Sequence, residues 1–219
     1  MLQRGNKKLG SMFYTWSIPA KTTCPGASKT CIEHCYGTKG RFRTTRLGLA
    51  LEKNLEVSKQ DTFVSWMSTE LLIKRVAALR IHVVGDFYSV EYAEKWLEIL
   101  RNNKHRRALL YTRSWRIPEI VPVLRRMAAL PNVNMWLSAD NETGKPIAIR
   151  HTQVAYMSVD DNDGPKRANN RTLIFRTNRK TPLKKLNGMQ VCPPENGVKT
   201  QVQITCTACQ LCLYKNPNR

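Results

Sequence analysis

Three cysteines lie within twelve residues near the start of the chain, in the stretch CPGASKTCIEHCY. Six residues separate Cys24 from Cys31, and three separate Cys31 from Cys35. Thiolates bind zinc and iron–sulfur clusters, and a [4Fe–4S] cluster on three cysteines keeps one iron open for a substrate or cofactor. His34 could complete a zinc site, but it adjoins Cys35, and two neighbours bind one ion only with strain. We refer to residues 24–35 as the three-cysteine loop and expect it to hold a [4Fe–4S] cluster.

Four more cysteines lie near the other end of the chain, separated by thirteen, two and two residues: Cys192, Cys206, Cys209 and Cys212. Four thiolates suit either a tetrahedral zinc ion or a second [4Fe–4S] cluster. The repeated two-residue spacing favours a cluster somewhat, since zinc ribbons usually present two separate pairs of cysteines. For either metal, the expected role is structural.

The chain of 219 residues is strongly basic, with 36 Lys and Arg against 16 Asp and Glu and a formal charge of +20. Such a charge attracts polyanions, so DNA or RNA is the expected partner. The excess is dense in residues 101–107 and recurs through residues 166–180. No apolar run has the length of a membrane span, and the first residues lack a secretory signal. We therefore expect a cytoplasmic protein with reduced thiols and no membrane partner.

Six short apolar runs predict β-strands, and their apolar centres are typical of strands buried on both faces of a parallel sheet. The runs cover residues 11–20, 80–87, 107–115, 133–140, 153–161 and 171–177. The three-cysteine loop directly follows the first of them. Helical spacing of apolar residues predicts two helices between residues 43 and 79, with Asp61 as the cap of the second.

Two further helices are predicted between the next strands. Ser89 caps a helix over residues 89–101, and Pro118 or Pro122 starts a helix that Pro131 ends. After Asp140 the connections are too short for full helices. The alternation indicates right-handed βαβ units and an α/β fold. We predict a partial parallel β/α barrel of about six strands over residues 1–186, followed by a cysteine-rich metal-binding tail over residues 187–219.

The residues that follow the predicted strands are candidates for a site, because ligands of α/β proteins collect at the carboxyl ends of the strands. These residues are Gly85, Asp86, Thr112, Arg113, Ser138 and Asp140. Gly85 and Asp86 could instead form only a tight turn and a helix cap, and Thr112 and Arg113 could be solvated loop residues. Arg113 and Trp115 could stack on a base, although core packing explains Trp115 equally well.

A resemblance to a known family covers most of the chain. The stretch SIPAKTTCPGASKTCIEHCYG, together with GDFYS, YTRSW, WLSAD and the terminal CTACQLC, resembles the gene product 88 family of phage proteins. That family is similar to other three-cysteine phage proteins regarded as distant relatives of radical S-adenosylmethionine (SAM) enzymes. For a phage-encoded protein, the expected cytoplasm is that of the host cell.

The order of strand, three-cysteine loop, helix and strand-end acidic motif is similar to the radical-SAM fold. This resemblance implies a barrel of radical-SAM type, in which the cluster of the three-cysteine loop chelates SAM. It implies that Gly85 and Asp86 meet the amino group of SAM. It also implies that Ser138 or Asp140 meets the ribose, and Thr112 and Arg113 would complete the cofactor site.

The sequence therefore favours an iron–sulfur, radical-SAM-like enzyme that modifies nucleic acid or a nucleotide by radical chemistry. A second hypothesis is a base-exchange or glycosidic transferase, in which Asp86 and Asp140 act as nucleophile and base while the tail holds structural zinc. A third is a metal-stapled nucleic-acid-binding protein with no catalytic activity. The metal that the purified protein contains, and its response to SAM, would separate these hypotheses.

Overall fold

A nine-stranded sheet forms the centre of the computed structural model, which describes residues 1–160, 162–165, 172–178, 180–198 and 204–213. The strands are β1 (Gln3–Arg4), β2 (Phe13–Trp16), β3 (Ala78–Ile81), β4 (Arg107–Thr112), β5 (Val133–Ala139), β6 (Thr152–Ser158), β7 (Thr172–Arg176), β8 (Lys185–Leu186) and β9 (Met189–Val191). Their order in the sheet is β1-β2-β3-β4-β5-β6-β7-β9-β8. Strands β2 to β7 and β9 are parallel, whereas β1 and β8 pair antiparallel at the two edges. The mixed α/β class with a mostly parallel sheet is thus confirmed.

The six predicted strands correspond to β2 through β7. Strand β3 differs most, because it ends at Ile81 instead of continuing through Phe87. His82 has a φ of 59°, which takes the backbone out of the extended conformation and ends the strand. Three strands were not predicted, namely β1, β8 and β9, and each of them has only two or three residues. Strands β8 and β9 pair antiparallel on either side of a turn at Asn187 and Gly188. Residues 189–191, near the start of the predicted tail, therefore continue the sheet.

Helices α1 (Lys29–Glu33), α2 (Thr45–Lys59), α3 (Phe63–Ile73), α4 (Val90–Asn102), α5 (Val121–Ala129) and α6 (Cys206–Cys209) connect or follow the strands. The prediction for α4 is confirmed, since the Ser89 hydroxyl accepts a hydrogen bond from the Tyr92 N–H at 3.1 Å. The prediction that Asp61 caps α3 was wrong. The cap residue is Thr62, one position later, and it caps without a side-chain hydrogen bond. In α5, Pro122 lies in the first turn and the helix ends directly before Leu130 and Pro131.

The two faces of the sheet are covered differently. On one face, helices α3, α4 and α5 bury a large apolar core that includes Trp16, Phe63 and Trp96. On the opposite face, a smaller cluster around Leu109 and Trp136 packs against residues of the tail. In the described part of the chain after β5, the regular helical segments are one 3₁₀ turn (Pro193–Glu195) and α6. The second half of the fold therefore carries less helical cover than the first, as the short connections predict.

None of the helices in the described residues has the length and apolar character that a membrane crossing requires. The basic stretch 166–180 belongs only partly to the structure, because residues 166–171 and 179 lie outside the described ranges. The other basic stretch, 101–107, joins α4 to β4. Because the strands are parallel, this stretch lies at the edge of the sheet where the strands begin, opposite the three-cysteine loop.

Candidate functional site

The three-cysteine loop lies between β2 and α2, at the edge where the parallel strands end. Cys31 lies within the short helix α1, whereas Cys24 precedes that helix and Cys35 follows it. All three thiols are half-buried, and none is in a disulfide. Among the residues that the structure describes, no group of three or more His, Cys, Asp or Glu side chains could hold a metal ion as placed.

The loop packs directly against the turn that follows β4. A Cβ atom on Gly26 would lie 2.1 Å from the Arg113 carbonyl oxygen, so only glycine allows this approach. The Gly26 carbonyl also accepts a hydrogen bond from the Arg116 guanidinium at 3.0 Å. Directly before the loop, the Thr23 carbonyl accepts a hydrogen bond from the Asp86 N–H at 3.1 Å, which holds the start of the loop beside the turn after β3. The backbone of the loop is thus fixed to the ends of two strands.

Asp140, at the end of β5, fixes the middle of the loop. Its Oδ2 atom accepts a hydrogen bond from the Ser28 hydroxyl at 2.5 Å and pairs with Nη1 of Arg113 at 2.8 Å. The Ser28 oxygen in turn accepts the Cys31 N–H at 3.0 Å, which caps helix α1. Burial alone would raise the pKa of Asp140, but Ser28, Arg113 and Thr143 outweigh it and hold that pKa below its usual value. The carboxylate is therefore ionised at neutral pH.

A second contact reaches the same helix from the loop after β5. Glu142 accepts hydrogen bonds from the Thr30 N–H at 3.0 Å and from the Thr30 hydroxyl at 3.2 Å. Neither Ser28 nor Glu142 was among the residues predicted for the site. Ser28 could have been recognised as a helix cap three residues before Cys31, since serine is a preferred N-cap. Glu142 carried no comparable signal.

Asp86 holds the neighbouring turn. Its Oδ1 atom accepts hydrogen bonds from the Thr112 hydroxyl at 2.7 Å and the Phe87 N–H at 2.8 Å, and its Oδ2 atom accepts the Arg113 N–H at 2.7 Å. Burial raises the pKa of Asp86, and these donors oppose that shift. The structure thus brings Asp86, Thr112, Arg113 and Asp140 together beside the loop. Thr112 and Arg113 are buried, so they are not solvated loop residues.

The backbone conformation and the close packing at position 85 require glycine. The φ of Gly85 is +82°, and a Cβ atom there would lie 2.4 Å from Cγ1 of Ile18 and 2.9 Å from the Thr23 hydroxyl. Ser138 lies on β5 with a half-buried side chain, and its carbonyl accepts a hydrogen bond from the Trp115 indole at 2.9 Å. Trp115 is buried in the main core, which corresponds to the packing alternative rather than to base stacking.

The thiols of the loop interact electrostatically with one another and with the carboxylates of Asp86 and Asp140. Burial, and then the negative charge of Asp86, raise the pKa of Cys24 to about 12. Burial also raises the pKa of Cys31, although the nearby Arg113 guanidinium opposes the shift. Without a metal these two thiols are protonated at neutral pH, so a metal that binds them must displace protons.

The four cysteines of the tail surround one cavity. Its walls include Cys192, Cys206, Cys209 and Cys212, together with Phe13 and Leu109 from the sheet. Hydrogen bonds fix the tail to the sheet and to the segment before β2. The Cys206 N–H donates to the Lys8 carbonyl at 2.8 Å, and the Cys212 carbonyl accepts from the Asn134 amide at 2.5 Å. Distant parts of the sequence, residue 192 and residues 206–212, are thereby brought to one place.

Polar and cationic side chains adjoin these cysteines. The Tyr111 hydroxyl forms a hydrogen bond with Cys212; burial nevertheless raises the pKa of this thiol to about 12. Lys8 and Arg80 act on Cys206 in the opposite direction to burial, although burial prevails and raises the pKa of this thiol. Arg80 also lies 4.9 Å from the centre of the Tyr111 ring. The sequence did not identify Lys8, Arg80 or Tyr111, because nothing local to them indicates that the tail packs against them.

His82, which directly follows β3, is buried and packed among aromatic side chains. Its Nε2 atom lies 2.9 Å from the Tyr92 hydroxyl, and its ring packs edge-on against Phe87 at 4.8 Å between centroids. Burial lowers the pKa of His82 to about 3, so it is neutral at physiological pH.

A comparison with protein-family models matches residues 1–215 to the family described as Gene product 88. No curated protein and no solved structure matches the chain.

Proposed function

The chain belongs to the gene product 88 family, and we propose that it is an iron–sulfur enzyme of radical-SAM type that modifies nucleic acid or a nucleotide. One observation carries the proposal. The three-cysteine loop lies where the parallel strands end, and Asp86, Arg113 and Asp140 fix it there from three neighbouring turns. This edge is where α/β folds of this kind place their reactive groups.

The donor set of the loop suits an iron–sulfur cluster. Cys24, Cys31 and Cys35 are free, half-buried and within electrostatic range of one another, and thiolates are the usual ligands of such clusters. Each cysteine of a cluster binds a different iron, whereas the ligands of a single ion gather around one point. The three thiols of a cluster site therefore need not converge on one position. When bound, a [4Fe–4S] cluster on three cysteines would supply an electron and an open iron for the activation of SAM.

Other residues of the chain support this arrangement. Ser28 and Asp140 orient the helix that carries Cys31, and Gly26 lets the loop approach Arg113 closely. Asp86 lies within electrostatic range of Cys24, in the place where the radical-SAM resemblance expects an acid beside the amino group of SAM. Gly85, Thr112 and Ser138 would complete the cofactor site at the same edge.

The strand order supports the barrel that this proposal requires. Strands β2 to β7 are parallel and follow one another in sequence order, as the strands of a β/α barrel do. A doubly wound sheet reverses its strand order partway, and the order from β2 to β7 contains no such reversal. We therefore propose that the parallel strands curve as an open barrel of radical-SAM type.

We further propose that the tail holds a structural second metal centre, either a [4Fe–4S] cluster or zinc. Four thiols around one cavity match the ligand number of both. The net charge of +20 supports a nucleic acid or nucleotide as substrate. We place this activity in the cytoplasm of the host cell.

Anaerobic purification followed by iron, sulfide and zinc analysis tests the proposal. Two clusters predict about eight irons per chain and a broad absorbance near 400 nm. Replacing Cys24, Cys31 and Cys35 by alanine should remove about four irons and any change in the paramagnetic signal on adding SAM. The matched variant Cys206→Ala, Cys209→Ala, Cys212→Ala should remove only the tail metal. A protein that contains zinc alone, with no iron after reconstitution, would contradict the proposal.

A further inference from the structure

A strongly basic segment follows the three-cysteine loop directly. Within residues 36–46, Lys39, Arg41, Arg43 and Arg46 are all exposed, and the sequence has no acidic residue between Glu33 and Glu52. None of these four cations takes part in an ion pair with another described residue. We call residues 36–46 the basic segment. Its charge is uncompensated within the described chain, which is what a polyanion-binding surface requires.

An exposed aromatic side chain accompanies these charges. Tyr36 is 52% exposed, and its ring lies edge-on to Phe42 with 6.0 Å between centroids. The Tyr36 hydroxyl donates a hydrogen bond to the Val83 carbonyl, which fixes the ring at the surface. A charge run without aromatic residues would be no more than a solvated surface. A fixed, exposed ring in the same segment as these cations offers a flat face on which an unpaired base can stack.

The segment is fixed close to the candidate site. Gly37 is buried, and a Cβ atom there would lie 2.8 Å from both the Ala20 Cβ and Cγ1 of Val84. Val84 directly precedes Gly85 and Asp86, so the start of the segment packs against the turn after β3. Tyr36 itself follows Cys35 in the chain. A ligand on the basic segment would therefore lie next to the three-cysteine loop.

We propose that the basic segment binds single-stranded DNA or RNA and presents it to the three-cysteine loop. Lys39, Arg41, Arg43 and Arg46 contact the phosphates, and Tyr36 stacks on a base. A duplex keeps its bases paired and stacked, so the exposed ring favours a single strand. This inference rests on the proposed function, since it names the form of nucleic acid that the site receives.

The other described basic stretch lies elsewhere. Arg101 and Lys104 are exposed, but they precede β4 at the edge of the sheet where strands begin. If charge density alone decided where a nucleic acid binds, this stretch would bind it as well as the basic segment does. Together with Arg75, which precedes β3, and Arg125 on α5, Arg101 and Lys104 form a control group of four exposed cations, so neutralising either group of four changes the net charge equally.

The test compares two fourfold variants. The first carries Lys39→Gln, Arg41→Gln, Arg43→Gln and Arg46→Gln, and the control carries Arg75→Gln, Arg101→Gln, Lys104→Gln and Arg125→Gln, all at exposed positions. Binding is measured by fluorescence anisotropy with labelled 20-nucleotide single-stranded DNA and RNA and with the matching duplex, over a range of salt concentrations. Single strands give a salt slope of about 0.7 for each phosphate contact, so the first variant should lower the slope by about 2.8. The control variant should change the salt slope by less than the value of one phosphate contact, about 0.7.

A single substitution separates stacking from charge. Losing one base stack weakens single-strand binding by roughly 5- to 150-fold, so Tyr36→Ala should show a loss in this range at constant salt slope. Tyr36→Phe, which keeps the ring but loses the hydrogen bond to the Val83 carbonyl, should show a smaller loss than Tyr36→Ala. Duplex binding should change little in either variant.

Three results would overturn the inference: equal losses in the two fourfold variants, tighter binding of duplex than of single strand, or competition by polyglutamate as strong as that by oligonucleotide. Iron content and the visible spectrum of each variant distinguish this failure from failure of the proposed function. Unchanged iron with unchanged binding would refute only the basic segment as the docking surface. Binding that depends on the basic segment in a protein that holds no iron would refute only the cluster.

Discussion

The Ser28 hydroxyl lies 2.5 Å from Oδ2 of Asp140, and the same hydroxyl oxygen accepts the N–H of Cys31. One side chain thus connects the end of β5 to the helix that carries a cysteine of the loop. Asp140 also pairs with Arg113, so a change at Ser28 reaches the turn after β4 as well. The position of Cys31 depends on contacts that are far apart in sequence.

Ser28→Ala should therefore weaken both folding and metal retention. Loss of an N-cap costs about 1 kcal/mol, and Asp140 would lose one of its donors while remaining buried. We expect the free energy of unfolding to fall by about 1–2 kcal/mol in denaturant titrations. Iron retained after gel filtration should fall as well.

Ser89→Ala is the matched control for this substitution. Ser89 caps α4 in the same way but lies outside the three-cysteine loop. It should reduce stability by about 1 kcal/mol and leave the iron content unchanged. If both variants lost iron equally, the link between Ser28 and the loop would have no specific effect on metal binding.

Two glycine-to-alanine substitutions should act in opposite directions. At Gly26 the new Cβ would lie 2.1 Å from the Arg113 carbonyl oxygen, so the loop must move away from the strand end. We expect a loss of about 2 kcal/mol in unfolding free energy, together with lower iron content. Gly48 lies in α2 with open space around it, so Gly48→Ala should stabilise the protein by about 0.5–1 kcal/mol. Stabilisation by both substitutions would contradict the packing described for Gly26.

Asp86→Asn should destabilise the turn after β3 although the side chains have the same shape. The two carboxylate oxygens accept N–H groups from Phe87 and Arg113, one on each side. An asparagine amide presents only one oxygen, so one backbone N–H must face the NH₂ group in either orientation. A buried donor without a partner costs about 1–3 kcal/mol, measurable by thermal or denaturant unfolding. An unchanged stability would show that Asp86 does not support the turn.

His82 should make the free energy of unfolding depend on pH. Its pKa is about 3 in the folded protein, and that of an unfolded histidine is about 6.5. Because the folded pKa is lower, the contribution of His82 is fully present above pH 6.5 and is lost as the pH falls toward 3. The maximum slope is about 1.4 kcal/mol per pH unit. His82→Asn, which tolerates the positive φ, should flatten this part of the stability curve; equal slopes in both proteins would contradict the assignment.

The parts of the fold that follow from local pattern could be predicted from the sequence. Apolar runs and helical spacing gave β2 to β7 and the helices between the earlier strands, and the rule on strand ends brought Asp86, Arg113 and Asp140 together. The contacts that depend on distant residues could not be read in this way. Ser28 and Glu142 act through partners more than one hundred positions away, and strands as short as β1 and β8 carry too few residues for a pattern.

Residues 204–213 fold against a sheet face whose strands all precede them in the chain. During synthesis, the ribosome therefore completes all nine strands while this face, with Leu109 and Trp136, is still open to water. The Cys206 N–H and the Cys212 carbonyl find their partners only after that point. A chain truncated before residue 204 would therefore leave the apolar surface around Leu109 and Trp136 exposed to water.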